Sequence, residues 1–323
     1  MSIEISRILR IIDCDRNKPA GFLGKGQNRH NKVSIILKDK EKWKGEVSLK
    51  ADLHVHTQES DGLLSVEEIV NLAHTNNVQI LSITDHESTE GIAKAQSLAK
   101  RLNIEIIPGV ELLTNHKGKE VHLLGYFKDV NQPVLQARLR EMREQRTALA
   151  YDMVELLKNG GLLLEWQDVE REVSSEGAVS KGHIMRALYH RECGCSHNWR
   201  DIADYFRPGG VAYLPYLLHS FEDAVDLILA CGGIPVLAHP GLLHDPKTIF
   251  ELLAYRPIGL EVYYGYWERR ETLIPYYAEI AEKLAILATG GSDYHGPKGL
   301  IKLGQMDVPL EGVSKLQAYL TNA

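Results

Sequence analysis

The sequence predicts an α/β fold: a barrel of parallel strands interrupted by a helical insertion at about residues 131–210. Three observations predict it. From residue 51 onward, short apolar runs alternate with longer amphipathic ones, the pattern of repeated βα units whose strands pair in parallel. Residues able to hold metal or move protons fall at the ends of the predicted strands: His54 and His56, Asp85 and His86, Glu111, His239, Glu261, Asp293 and His295. Barrel enzymes carry their sites at the C-terminal ends of their strands. Between residues 160 and 210 no run reads as a strand.

The elements follow in order. Residues 52–56 read as the first strand. A helix is expected over 65–76, with Ser65 as N-cap and Glu68 three residues on, a capping box. Strand 80–84, helix 89–102, strand 104–107 and strand 121–127 come next. A long charged helix over 132–159 ends at Gly160-Gly161, which suits a C-cap. After Pro215 the alternation resumes: helix 220–230, strand 234–238, helix 248–254, strand 260–264, helix 268–283 and strand 285–289. Residues 1–50 differ in texture. Pro19-Ala20-Gly21-Phe22-Leu23-Gly24 is turn-rich, 33–37 is a short strand candidate, and Gly24 and Gly26 lack the strand–turn–helix setting of a nucleotide loop. The expected organisation is a basic, partly ordered extension at 1–50, a barrel with the site at 51–130 and 211–323, and the insertion at 131–210 lying over the site as a substrate lid.

Composition fits a soluble globular protein. The 323 residues are 44% hydrophobic and 25% charged, ample for a core. The net charge of −6 is uneven. Residues 1–50 carry 12 Lys+Arg against 6 Asp+Glu, and the rest carries 25 against 37. Several divalent cations would offset the acidity of the body. The basic stretch is expected to be a solvated arm able to contact RNA phosphates. Four cysteines (Cys14, Cys193, Cys195, Cys231) suggest no disulfide framework. With no leader pattern and no membrane-length apolar run, the chain is expected in the cytoplasm.

His54 and His56 stand at i and i+2 of a strand, as do Asp293 and His295 near another, so each pair faces one way. The candidate ligands are His54, His56, Asp61, Asp85, His86, Glu111, His122, His239, Asp293 and His295. Imidazoles and carboxylates without thiolate suit Mn, Zn or Fe.

The motifs Asp52-Leu53-His54-Val55-His56-Thr57, Ser60-Asp61-Gly62, Ile83-Thr84-Asp85-His86, Pro108-Gly109-Val110-Glu111, Val121-His122, Ala238-His239-Pro240-Gly241 and Gly291-Ser292-Asp293-Tyr294-His295 together resemble those of the PHP (polymerase and histidinol phosphatase) family. The match runs from about residue 51 to the end. The resemblance implies a distorted (β/α)7 barrel with two to three divalent ions, manganese foremost and zinc or iron as alternatives. It implies one ion on Glu111, His122 and His239, a second on His54, His56, Glu111 and Asp293, and a third on Asp61, His86 and His295. Glu111 then bridges two ions. Asp85 is either a ligand or the group that orients a histidine, and Asp52 has the same two readings, the structural one favoured. Such ions lower the pKa of a bridging water and clamp phosphoryl oxygens, the chemistry of phosphoester hydrolysis by an activated hydroxide.

Within the family, Glu176-Gly177-Ala178-Val179-Ser180-Lys181-Gly182-His183-Ile184-Met185-Arg186 and Pro208-Gly209-Gly210-Val211-Ala212-Tyr213 resemble the branch of 3′,5′-nucleoside bisphosphate phosphatases, some of which trim RNA from its 5′ end. The implied substrate is a nucleoside bisphosphate or short 5′-phosphorylated RNA. Arg143, Arg146, Lys181 and Arg186 are candidates for a second phosphate, since planar guanidinium pairs two oxygens at once. His183 is a candidate phosphate contact or leaving-group acid, and Arg270 a further substrate-side cation. Glu111, Asp85 and His183 are the expected catalytic residues. Members often carry a Lys near Gly209 or Gly210, and its absence here puts substrate choice in doubt. The alternatives are a histidinol-phosphate phosphatase, against which the insertion argues, and a proofreading exonuclease, for which no polymerase segment exists. A non-catalytic nucleic-acid or metabolite binding module is the third, and the complete ligand set argues against it.

Other signals carry less. His190-Arg191-Glu192-Cys193-Gly194-Cys195-Ser196-His197 has the wrong spacing for a structural zinc site. Cys231 is expected in the core, and His30, His74, His116, His219 and His244 on the surface. Tyr263, Tyr264, Tyr266 and Trp267 either stack a nucleobase or pack at the barrel rim.

Overall fold

The computed structural model describes residues 49–173, 179–191 and 199–322. The basic arm with its strand candidate, the start of the 176–188 motif and the Cys193/Cys195 turn lie outside them. No helix among the described residues is long and apolar enough to cross a membrane.

Among the described residues the fold is mixed α/β with two sheets. β1 (Ala51–Val55), β2 (Ile80–Ile83) and β3 (Glu105–Ile106) pair in parallel, connected by α1 (Val66–Thr75) and α2 (Gly91–Ala99). β4 (Gly109–His116), β5 (Lys119–Tyr126), β6 (Ile234–Leu237), β7 (Gly259–Tyr263) and β8 (Ala288–Gly290) form the second sheet in that order. The second sheet is mixed, not all parallel as the sequence predicts. β4 and β5 are an antiparallel hairpin, and β5 also runs against β6. The reason is local. Two residues, Lys117 (φ 52°) and Gly118 (φ 82°), turn the chain. A two-residue loop with positive φ at both positions closes a hairpin and cannot reach a parallel neighbour. Single bridges, Val55 to Tyr294 and His86 to Glu111, join the two sheets just where the candidate ligands cluster.

Helices α3 (Pro133–Asn159), α4 (Trp166–Glu170), α5 (Lys181–Arg191) and α6 (Trp199–Asp204) make the insertion. They enclose a core of their own, with Met153, Val154, Leu157, Leu164, Ile184 and Ile202 buried. That core explains why the long helix is apolar on one face only. α7 (Phe221–Ala230), α8 (Pro246–Tyr255) and α9 (Arg270–Leu284) separate the later strands.

A final helix, α10 (Leu310–Asn322), was not anticipated, although Val313, Leu316 and Leu320 recur at helical spacing. Those three residues join Leu53, Leu124 and Val236 in the main core. Tyr126 lies in the same core and donates from its hydroxyl to the Leu53 carbonyl at 2.9 Å, across the two sheets. Ser65 and Glu68 form the expected capping box.

Candidate metal centre

The strand ends bring the predicted ligands together. His54 lies in β1, His56 just beyond it, and Asp61 in the tight turn that follows. A side chain at Gly62 would stand 2.6 Å from the His56 carbonyl, so only glycine lets the turn close. Asp293 is held at φ 50° and His239 at φ 25°. Left-handed backbone at such residues is a strain found at functional sites.

Glu111 is the hub. Its Oε2 lies 3.3 Å from His54 Nε2, 3.2 Å from His56 Nε2 and 3.4 Å from His86 Nδ1. Its Oε1 lies 2.8 Å from His122 Nδ1 and 3.1 Å from His239 Nε2. Asp293 Oδ1 sits 3.3 Å from His54 Nε2 and 3.1 Å from His56 Nε2. Asp61 Oδ1 is 3.2 Å from His295 Nε2, and its Oδ2 is 3.9 Å from His86 Nε2. Among the described residues, three groups offer donor atoms within 4.8 Å of one another: His56, Asp61, His86 and His295; His54, His56, Glu111 and Asp293; and His86, Glu111 and His122. His239 meets Glu111 beside the third group.

These donors fit divalent cations. Two ligands about 2.1 Å from one ion stand about 3.0–3.4 Å apart in tetrahedral or octahedral geometry, the spacing seen around His54, His56, Glu111 and Asp293. His54 Nε2, both ring nitrogens of His56, Asp61 Oδ1, His86 Nδ1 and Asp293 Oδ1 are buried with no hydrogen-bond partner. Each such atom costs about 1–3 kcal/mol, and six together rival a whole domain's stability of about 5–15 kcal/mol. Divalent ions that take five of the six, one His56 nitrogen keeping its proton, remove most of that cost.

The field of the site points the same way. Burial alone would raise the Glu111 carboxyl, but the imidazoles of His54, His86 and His122 hold it well below the usual range. Burial likewise opposes charge on His56, yet Asp293 and Glu111 push it up to about 10. His122 rises against its burial to about 9, driven by Glu111 and Glu120. Burial and then Arg146 hold His86 well below its ordinary value, a neutral donor.

The surrounding carboxylates divide the work differently from the sequence reading. Asp85 accepts from Thr57 N and Oγ1, both at 2.7 Å, and from Ser60 Oγ at 2.5 Å, so it braces the turn before Asp61. The group that orients a histidine is Glu261, whose Oε1 pairs with His54 Nδ1 at 2.9 Å while Oε2 accepts from His239 N at 2.7 Å. The sequence places Glu261 at a strand end without disclosing its role. The signal was a lone charge in the apolar run Gly259-Leu260-Glu261-Val262, which burial makes costly unless it is paired. Tyr264 donates to Asp293 Oδ2 at 2.9 Å. Asp52 is structural, accepting from Ser292 N and Gly304 N at 2.9 and 2.6 Å. Glu261→Gln, which keeps shape and loses charge, is expected to weaken metal binding about 10–100-fold. Competition with a chromophoric chelator measures it, and unchanged affinity would remove Glu261 from the site.

A cavity of about 170 Å³ opens beside the ligands, between them and the insertion. Asp61, His86, His122, Glu120, Arg146 and Lys181 line it, with Tyr216 and the apolar face of α3. The cations expected there are already engaged. Arg146 pairs with buried Glu87, and Arg143 donates to the Glu87 carbonyl at 2.7 Å. Lys181 pairs with Glu120 at 2.6 Å. Arg186 donates to the Asp61 carbonyl at 2.8 Å and lies 3.6 Å from Glu172. Arg270 begins α9 as an exposed residue outside the cavity lining.

Among the remaining histidines, His74 and His244 are exposed as expected. His116 and His219 are buried instead, His116 between Glu222 and Glu251 and His219 against Arg138. Cys231 is buried. Tyr264 and Tyr266 pack inside, while Trp267 is 52% exposed.

His183 is buried, and its Nδ1 accepts from Ser180 N at 3.0 Å. Burial, with Arg186 and Arg146 nearby, lowers its pKa to about 4. Between that value and the ordinary 6.5 the unfolded chain binds the extra proton, so stability falls as pH drops through this window, by about 3 kcal/mol in all. In metal-stripped protein the urea midpoint is expected to fall more steeply from pH 7 to pH 4.5 for wild type than for His183→Gln. Parallel slopes would contradict a neutral buried His183.

Comparison with known proteins agrees with this geometry. The model of the PHP domain matches residues 52–211. The chain is 32% identical over 274 residues to the 5′-3′ exoribonuclease Rnm of Escherichia coli K12, covering 82% of this chain and 92% of that one. It is 31% identical over 252 residues to a 3′,5′-nucleoside bisphosphate phosphatase of Chromobacterium violaceum, covering 76% and 87%. A solved amidohydrolase from Chromobacterium violaceum with bound sulfate superposes with a TM-score of 0.75 at 29% identity, over 84% of this chain and 96% of that one. The chain therefore belongs to the PHP family and is a metal-dependent phosphoesterase.

Proposed function

We propose that this chain hydrolyses nucleoside 3′,5′-bisphosphates and the 5′-phosphorylated ends of short RNA. The observation that carries the proposal is the overlap of three donor groups on shared residues, beside a cavity roofed by the insertion. Glu111, His122 and His239 hold one ion, His54, His56, Glu111 and Asp293 a second, and Asp61, His86 and His295 a third, with manganese the preferred metal. The two sheets then form the wall of a distorted (β/α)7 barrel, its mouth at the bridges Val55–Tyr294 and His86–Glu111. Bound divalent ions supply an activated water and neutralise phosphoryl oxygens. The chain's own residues do the rest. Glu261 and Tyr264 fix the orientation of His54 and Asp293. The insertion acts as a lid that excludes water and presents Lys181 and Arg146 to the second phosphate. Their internal partners, Glu120 and Glu87, set the strength of that contact. The two named relatives act on substrates of these kinds, which supports the choice.

The test is a panel assayed with Mn²⁺ on metal-stripped protein: adenosine 3′,5′-bisphosphate, a 5′-phosphorylated RNA oligomer and histidinol phosphate. Turnover of either nucleotide substrate with none of histidinol phosphate is expected, and turnover of histidinol phosphate alone would overturn the substrate class. The basic arm is proposed to contact longer RNA. Removing residues 1–48 should leave bisphosphate turnover intact and flatten the salt dependence of RNA binding. An unchanged salt slope would take the arm out of RNA recognition.

A further inference from the structure

We propose that one face of α5 is a positioning device for Asp61, so that docking of the insertion sets the affinity of the ion pocket to which Asp61 contributes. The proposal rests on the ligand assignment above. Ser180, His183 and Arg186 recur every three residues and so share a helix face. The first and the last engage the turn that carries Asp61. Ser180 Oγ accepts from Gly182 N at 3.1 Å, as an N-cap hydroxyl does, and donates to Asp61 Oδ2 at 2.9 Å. Arg186 Nη1 donates to the Asp61 carbonyl at 2.8 Å. His183 is buried between them, its Nδ1 accepting from Ser180 N at 3.0 Å. A side chain at Gly182 would stand 3.3 Å from Asp61 Oδ2, a tight contact that shows how near the helix runs to the carboxylate.

The two oxygens of Asp61 thus have separate duties. Oδ2 is tied to the insertion. Oδ1 is buried without a hydrogen-bond partner and points at His295 Nε2, 3.2 Å away, and at His56 Nδ1, 3.8 Å away. On the barrel side the same turn is tied to Asp85 through Thr57 and Ser60. Asp61 is therefore held between two clamps, one from each part of the fold. Of the donor groups, only the one with His56, His86 and His295 contains Asp61. Undocking α5 frees one oxygen and loosens the carboxylate, so it weakens that pocket and spares the others. Ser180 and Arg186 are positioning residues that act through Asp61.

The experiment is Mn²⁺ titration of the metal-stripped full-length chain by calorimetry, with thermal unfolding alongside. The wild type is expected to take up three ions. Ser180→Ala and Arg186→Gln should each weaken one of them about tenfold or more and leave the other two unchanged. Ser180→Thr, which keeps the hydroxyl and the cap, should restore the third. Wild-type affinity for all three ions in both variants would overturn the clamp, as would equal weakening at every site. A wild type that binds only two ions would overturn the assignment of the third pocket, and the proposal with it.

Discussion

Replacing Glu111 with Ala is expected to abolish phosphoester hydrolysis, lowering kcat/KM by at least about a thousand-fold, or about 4 kcal/mol of transition-state stabilisation. The size follows from position. Glu111 lies within 3.4 Å of five imidazoles and belongs to two of the three donor groups. No other carboxylate in the cluster reaches both sides, so its loss empties shared positions rather than one. Elemental analysis after dialysis is expected to show the variant short of two ions relative to wild type. A variant with full metal content and full activity would remove Glu111 from the centre. The fold should survive the change, because the cavity left by the carboxylate is surrounded by polar groups that water can satisfy.

The second large effect is on stability. Arg146→Met is expected to destabilise the chain by about 3–5 kcal/mol, since removing one partner of a buried ion pair leaves the other uncompensated. Glu87 is completely buried, sits at φ 48° and also accepts from Leu113 N at 2.7 Å. Its carboxylate loses its only ion-pair partner among the described residues once the guanidinium is gone. For a domain of this size the loss amounts to a fall of roughly 10 °C in Tm. The double variant Arg146→Met, Glu87→Gln removes the orphaned charge and is expected to recover part of it. Calorimetric unfolding decides, and a single variant as stable as wild type would mean that the pair is solvated in solution.

The parts of this molecule that were legible in the sequence are those that local chemistry dictates. Ser65 and Glu68 announce a helix start whatever lies around them, and Gly160-Gly161 marks the end of the long helix. His54 and His56 must face together because strands repeat every two residues. The hairpin at Lys117 and Gly118 was missed because its signal is two backbone angles that the residue types only permit. α10 was overlooked although Val313, Leu316 and Leu320 keep helical spacing. The cations were harder. A sequence shows that Arg146, Lys181 and Arg186 exist near a site, but whether each is free depends on residues 59 to 125 positions away. Glu87, Glu120 and the Asp61 carbonyl are partners that only the folded chain supplies. The same holds for Glu261, whose role appears only when β7 delivers it to His54.

The central claim is that clustered histidines and carboxylates hold the ions on which phosphoester hydrolysis depends. Its most direct test is to strip the full-length chain with chelator, add Mn²⁺ in counted equivalents, and follow phosphate release from adenosine 3′,5′-bisphosphate. The account predicts no release from stripped protein and recovery that saturates at two to three equivalents. Full activity in the stripped protein, or no recovery at any Mn²⁺, Zn²⁺ or Fe²⁺ level, would contradict it.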